Sequence, residues 1–202
     1  MLLYYYPGAC SLSPHIALRE AGLPFELKKV DIRTKLIEGG GDFMQINPKG
    51  YVPALKLDTG DILTEGPVIV QYIADQRPES GLAPKPGTLE RYRLAEWLNF
   101  ISTEIHKSFT PLFNPNAAPD WKTGVTGNLV RRFEWLEPRL RGTSYLTGER
   151  FTVADCYLFV TLSWSGHVGI DLARWPALSA YVQRVAARPK VNEALRAEGL
   201  AQ

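Results

Sequence analysis

The pattern of elements changes near residue 80, and that change restricts the folds open to this chain more than any other feature. Before it, short strands and helices alternate. Leu2-Leu3-Tyr4-Tyr5-Tyr6 reads as a strand over about 2–6, Pro7-Gly8 as a turn, and about 12–22 as a helix stopped by Gly22 and Pro24. Phe25-Glu26-Leu27-Lys28-Lys29-Val30 alternates as a second strand. Ile32 to Lys49 is polar and irregular, with Gly39-Gly40-Gly41 inside it, and reads as a mobile loop. Val52 to Leu57 and Ile62-Leu63-Thr64 flank Asp58-Thr59-Gly60-Asp61, a hairpin signal, and Pro67 opens a helix to about Asp75. The order is β-α-β, loop, β-β-α over 1–80, then a Pro/Gly-rich linker at 81–87 and a helical pattern over 88–202.

Composition excludes several classes of function. At 202 residues, 45% hydrophobic and 22% charged, the chain has the make-up of a soluble protein with one large domain or two small ones. A net charge of +2 without a basic run argues against nucleic acid as a partner. No stretch approaches the roughly 20 apolar residues that span a membrane, and the N-terminus lacks a signal-peptide pattern. Cys10 and Cys156 lie far apart, which fits two thiols in a reducing cytoplasm, and His15, His106 and His167 lack metal-ligand spacing.

Cys10 carries the first chemical signal. It follows the Pro7-Gly8 turn and precedes Ser11-Leu12-Ser13-Pro14, where Ser11 or Ser13 with Pro14 reads as a helix start. Unpaired amides and the positive dipole end favour an anion there, and a thiol so placed can ionise well below its usual range. An inert, buried cysteine is the competing reading, and position alone leaves both open.

A small α/β unit with a cysteine at its first helix start is thioredoxin-like in outline. Asn47-Pro48-Lys49-Gly50-Tyr51-Val52-Pro53 tests that outline, since a cis Val52-Pro53 bond before the third strand would turn the Val52 amide and carbonyl outward, toward an added peptide strand. A trans proline opening an edge strand is the alternative. Further on, Thr64-Glu65-Gly66-Pro67 sets an acid and free amides at the start of the next helix. That arrangement suits an α-amino acid end, which carries both charges; simple dipole complementarity is the plainer reading of Glu65.

Together Cys10, Asn47 to Pro53 and Thr64-Glu65-Gly66-Pro67 resemble the cytosolic glutathione transferases. Cysteine in place of tyrosine or serine is similar to their bacterial beta class. Pro7-Gly8-Ala9-Cys10-Ser11-Leu12 and Leu98-Asn99-Phe100-Ile101-Ser102-Thr103-Glu104-Ile105-His106-Lys107 resemble the enzymes of aromatic-pollutant catabolism. The resemblance covers essentially the whole chain. It implies a thioredoxin-like glutathione-binding domain over 1–80 and an all-α domain over 88–202 with a hydrophobic electrophile site. It further implies a homodimer and glutathione as cosubstrate, with no metal.

Residue by residue, the resemblance implies that Lys35 meets the glycine carboxylate of glutathione and that Val52, beside Pro53, pairs with its cysteinyl backbone. Glu65 and Gly66 would hold the γ-glutamyl end, Gly66 standing where many relatives have serine. Cys10 would face the sulfur, with His106 and Lys107 nearby, and Asn99 and Glu104 would reach glutathione bound to the other subunit. Phe109, Phe113, Trp164 and His167 are the candidates for the second site.

The later segments also read on their own. At about 100° per residue, Leu94, Leu98, Ile101, Ile105 and Leu112 share one face of a helix over about 88–112. Asn99, Thr103, His106 and Thr110 share another, a polar stripe without Lys, Glu or Arg. A solvated face is the simpler account of that stripe. Thr152-Val153-Ala154-Asp155 is a capping-box pattern ahead of a buried helix, with Cys156 in the core. Three functions therefore stand: glutathione transfer onto a hydrophobic electrophile by conjugation or reductive dehalogenation, monothiol disulfide exchange, and non-catalytic binding of hydrophobic compounds.

Overall fold

A computed structural model describes residues 1–201. The chain divides into two compact units, Met1–Ala83 joined by the residues from Ala187 onward, and Pro84–Ala186. Among the described residues no helix is long and apolar enough to cross a membrane.

The first unit is built on four strands, β1 (Leu2–Tyr5), β2 (Glu26–Lys29), β3 (Ala54–Lys56) and β4 (Ile62–Thr64), in the order β2-β1-β3-β4. β2 runs parallel to β1, while β3 and β4 are antiparallel to their neighbours. Helices α1 (Leu12–Glu20) and α2 (Gly66–Gln76) complete the β-α-β-β-β-α order read from the sequence. Strand alternation puts Tyr4 and Ala54 on one face, packed with Val30, Phe43 and Val52. The opposite face carries Leu3 and Leu55, both fully buried.

Residues 31–49 are more ordered than a mobile loop. Bridges join Val30 to Ile37 and Leu36 to Asp42, and a short 3₁₀ turn, Phe43–Gln45, is capped by Asp42, whose side chain accepts from the Met44 amide. Phe43 is fully buried and anchors the segment, a signal hidden by the polar residues around it.

Helix α8 (Pro189–Ala197), last in the chain, groups with the first unit and packs on α1. The helical domain read over 88–202 thus loses its final residues to the other unit. The reason is polar as well as apolar. Arg188 holds Glu20 through two bonds of 2.7 and 2.8 Å, and the buried His15 Nδ1 lies 2.7 Å from Glu198 Oε1.

The second unit contains α3 (Leu89–Phe100), α4 (Lys107–Phe113), α5 (Pro119–Leu140), α6 (Val153–Ser163) and α7 (Pro176–Ala186). The continuous helix expected over 88–112 is interrupted by a π-helical stretch, Ile101–His106, between α3 and α4. A π turn inserts an extra residue and rotates the positions beyond it. Leu94, Leu98, Ile101 and Ile105 are buried as the 100° count requires. Beyond the π turn the buried positions become Ser108, Phe109 and Pro111, and Leu112 is only half-buried. Helix α6 is buried on all sides from Val153 to Leu162, Cys156 included. Thr152 and Asp155 form the capping box at its start.

Candidate active site

Cys10 lies on the turn between β1 and α1, half-buried, with its thiol donating to the Val52 carbonyl at 3.4 Å. Neither cysteine forms a disulfide. The turn is fixed from both sides. Ser11 does not cap α1 with its side chain; its Oγ instead accepts from the Tyr6 amide at 3.1 Å and donates to the Tyr6 carbonyl at 3.2 Å. The Gly8 amide donates to Glu198 Oε2 at 2.9 Å. Arg19 Nε donates to His15 Nε2 at 2.9 Å, which leaves the His15 proton on Nδ1, facing Glu198. A chain of polar contacts therefore runs from Arg19 through His15 and Glu198 to the backbone two residues before Cys10. Sequence reading gave Glu198 no role, because nothing in that glutamate signals partners 183 and 190 positions away.

The Val52-Pro53 bond is cis, as the thioredoxin-like outline requires. In the same segment the buried Asn47 donates to the Tyr51 carbonyl at 2.7 Å and accepts from the Lys49 amide at 3.2 Å. Gly50 has φ +69°, where a side chain is strained, and a Cβ there would lie 3.0 Å from the Met44 sulfur, so glycine is favoured. Lys35, itself at φ 63°, donates through Nζ to the Ile32 carbonyl at 2.6 Å and the Gly50 carbonyl at 2.9 Å. It is a half-buried, oriented ammonium with one N–H left for an acceptor, rather than the exposed lysine its chemistry alone suggests.

Glu65 stands at the N-cap of α2 with φ 69° and ψ 111°, a conformation a non-glycine residue adopts only under constraint. Its carboxylate projects outward and is paired with Lys49 Nζ, which also donates to Thr64 Oγ at 2.8 Å. Lys49 is the residue that sequence reading passed over; a lysine between Pro48 and Gly50 looks like any loop charge. Gly66 follows Glu65, and a Cβ at that position would meet only Pro53 Cγ, at 3.9 Å. The first unit thus collects Cys10, Lys35, Val52, Pro53, Glu65 and Gly66 around one turn, one loop and one helix start.

The remaining candidates belong to the second unit. Asn99 and Thr103 are exposed and joined by a bond from Thr103 Oγ to the Asn99 carbonyl at 3.0 Å. Glu104 pairs with Arg132 of α5 at 2.5 Å. Ser108 Oγ donates to the Glu104 carbonyl and accepts from Asn128 Nδ2, so α5 braces the π turn through two polar contacts. Thr110 and Lys107 are exposed.

His106 ends the π turn half-buried, its Nδ1 2.6 Å from the Tyr157 hydroxyl. Its ring meets Trp164 edge-on at 4.9 Å. Burial, helped by the neighbouring Lys107 charge, lowers its pKa to about 4, so the imidazole is neutral near pH 7. Trp164 is the hub of an aromatic group, 5.5 Å from Phe109 and 5.7 Å from Phe113. Phe109 and Trp164 are buried and Phe113 is half exposed, which makes Phe113 the accessible member. His167 is exposed and takes no part in these ring contacts.

Comparison with known proteins identifies the family. Residues 8–76 match the glutathione S-transferase N-terminal domain and residues 100–189 the C-terminal domain. The glutathione S-transferase GstA of Escherichia coli O157:H7 is 46% identical over 200 residues, covering 99% of this chain and all of that protein. The ternary complex of BphK, a bacterial transferase, superposes with a TM-score of 0.98 at 57% identity, over 99% of this chain and 100% of the other. A sphingomonad glutathione S-transferase complexed with glutathione gives 0.96 at 51% identity over the full length of both. With Cys10 at the start of α1, a cis Val52-Pro53 bond and an acid at the head of α2, this chain belongs to the glutathione S-transferase family, in its bacterial beta class.

Proposed function

We propose that this enzyme uses glutathione as cosubstrate and transfers it to small hydrophobic, chiefly aromatic, electrophiles. The observation that carries the reading is the array in the first unit: Cys10 beside the Val52 carbonyl, with an ammonium at Lys35 and a carboxylate at Glu65. Glutathione offers a carboxylate at one end, an α-amino acid at the other and a thiol between them. Lys35 receives the glycine carboxylate, Val52 pairs with the cysteinyl backbone, and Glu65 and the Gly66 amide receive the γ-glutamyl end.

The thiol then lies at the α1 start, where the positive end of the helix dipole favours its ionised form; the Leu12 and Ser13 amides are already bonded to the Ala9 and Cys10 carbonyls. The glutathione thiolate attacks the electrophilic carbon, a carbon–sulfur bond forms, and the leaving group, such as chloride, departs with the bonding pair. His106 as a neutral hydrogen-bond donor and Lys107 as a charge are the proposed helpers at the sulfur. Asn99, Thr103 and Glu104 are proposed to contact glutathione across a homodimer. Phe113 is proposed to supply the accessible apolar contact for the electrophile, backed by the buried Phe109 and Trp164, and His167, exposed, is a rim residue. The reaction needs no metal and runs in the cytoplasm; reductive dehalogenation belongs to the same substrate class.

A second reading, monothiol disulfide exchange, is favoured by the Cys10 thiol itself. Ser13 occupies the position of a resolving cysteine, so a second glutathione must resolve any mixed disulfide. Conjugation of a chlorinated nitroaromatic by wild type and Cys10→Ala separates the two. The transferase reading expects conjugation in both, weakened by the substitution. Disulfide exchange without conjugation in the wild type would replace it by the second reading. Sedimentation of the wild type tests the homodimer, for which a monomer at micromolar concentration is the contrary result.

A further inference from the structure

We propose that Lys49 is a glutathione-binding residue: with Glu65 it forms a two-charge receptor for the zwitterionic end of the ligand, Glu65 taking the ammonium and Lys49 the α-carboxylate. This rests on the reading that Glu65 faces the γ-glutamyl end.

The start of α2 is short of donors for a carboxylate. Pro67 has no N–H, and the Val68 and Ile69 amides both turn back to the Glu65 carbonyl at 3.0 and 2.9 Å. The Gly66 amide is what the first turn still offers, and glycine adds no hydroxyl. A carboxylate has two oxygens and about four acceptor sites, so one amide leaves most of it unserved.

Lys49 stands where the missing donor is needed. Its ammonium gives one N–H to Thr64 Oγ at 2.8 Å and one to Glu65 Oε1, with a third left over. Lys49 engages only one oxygen of Glu65, so Oε2 is open to a ligand ammonium. Both side chains reach solvent, at 48% and 66% exposure. The backbone under Lys49 is braced by the buried Asn47 and by the bond from Lys35 to the Gly50 carbonyl. An ion pair of this kind accepts a zwitterion lying antiparallel to it. Each of the four charges gains an opposite neighbour and the resident pair stays intact. The same braced loop joins Lys35 to Lys49, one cation for each end of the tripeptide.

The test is a ligand-truncation cycle by calorimetry at low salt. Wild type, Lys49→Met and Glu65→Gln are titrated with glutathione, with glutaryl-Cys-Gly, which lacks the ammonium, and with γ-aminobutyryl-Cys-Gly, which lacks the α-carboxylate. Lys49→Met should weaken glutathione and glutaryl-Cys-Gly by about 5–10-fold, the scale of a partly exposed charge-assisted bond, and leave γ-aminobutyryl-Cys-Gly unchanged. Equal weakening of all three ligands would make Lys49 a brace for the loop and overturn the proposal, as would no change. Tighter glutathione binding would make Lys49 a competitor for Glu65, which also overturns it. Glu65→Gln reports separately on the parent reading, which fails if the loss does not follow the ligand ammonium.

Discussion

The starts of α2 and α6 both use an acidic residue, and they do opposite things with it. Asp155 at α6 is fully buried and accepts from the Thr152 amide and hydroxyl, the Leu146 amide and the Tyr181 hydroxyl, at 2.8 to 2.9 Å. Glu65 at α2 caps nothing with its side chain, sits at φ 69° and projects its carboxylate into solvent beside Lys49. One helix start is closed by the protein itself; at the other, the proposed glutathione site, the ligand would do the closing. Buried, satisfied polar groups secure the fold at α6, and the constrained, exposed carboxylate at α2 is what motivates the binding proposal.

Substitution at Asp155 breaks the comparison from the closed side and has the largest effect. Asp155→Ala strands several buried donors and should cost about 3–5 kcal/mol in denaturant unfolding, with the folded fraction keeping its glutathione affinity. An unchanged unfolding midpoint would show that the box is dispensable.

His106 lies between the two extremes, half-buried against Tyr157 and Trp164. Its folded pKa is lowered to about 4 by burial first and Lys107 second. In the unfolded chain it takes up a proton near pH 6.5, and in the native state it does not. Its contribution to stability is therefore present above about pH 6.5 and is lost as pH falls toward 4, by at most about 3 kcal/mol. Stability measured against pH should flatten across that window in His106→Gln; an identical slope would refute the assignment.

On the open side, Glu65→Gln should raise KM for glutathione about 10-fold while moving the unfolding midpoint little, because the exposed pair with Lys49 contributes little to stability. A large loss of stability with unchanged KM would reverse the contrast. Gly66→Ser is the smallest change. A Cβ there meets only Pro53 Cγ at 3.9 Å, so the added hydroxyl should tighten glutathione about 2–5-fold. Weaker binding would mean that the helix start is already closed.

Much of this was legible in the sequence, for reasons that differ by element. The strands, α1, the hairpin and the Thr152–Asp155 box are local patterns, and each was readable within a few residues. The identity of the family came from three short segments in the right order. The π turn was not legible, because an extra residue in a helix leaves no mark in composition, and Leu112 was therefore set on the wrong face. Nor were the links from Glu198 to Gly8, Tyr157 to His106 and Lys49 to Glu65, which join residues far apart in the chain. Glu65 illustrates the limit well: its place at a helix start was readable, but its left-handed backbone was not.

Incubation with oxidised glutathione, followed by peptide mass mapping, addresses the site as a whole. The Cys10 thiolate should displace one glutathione thiolate and retain the other half as a mixed disulfide, and S-methylglutathione should prevent this by occupying the same place. An adduct on Cys10 that S-methylglutathione abolishes is the expected result. An adduct confined to other positions, or one on Cys10 indifferent to S-methylglutathione, would contradict the placement of the ligand sulfur at the start of α1.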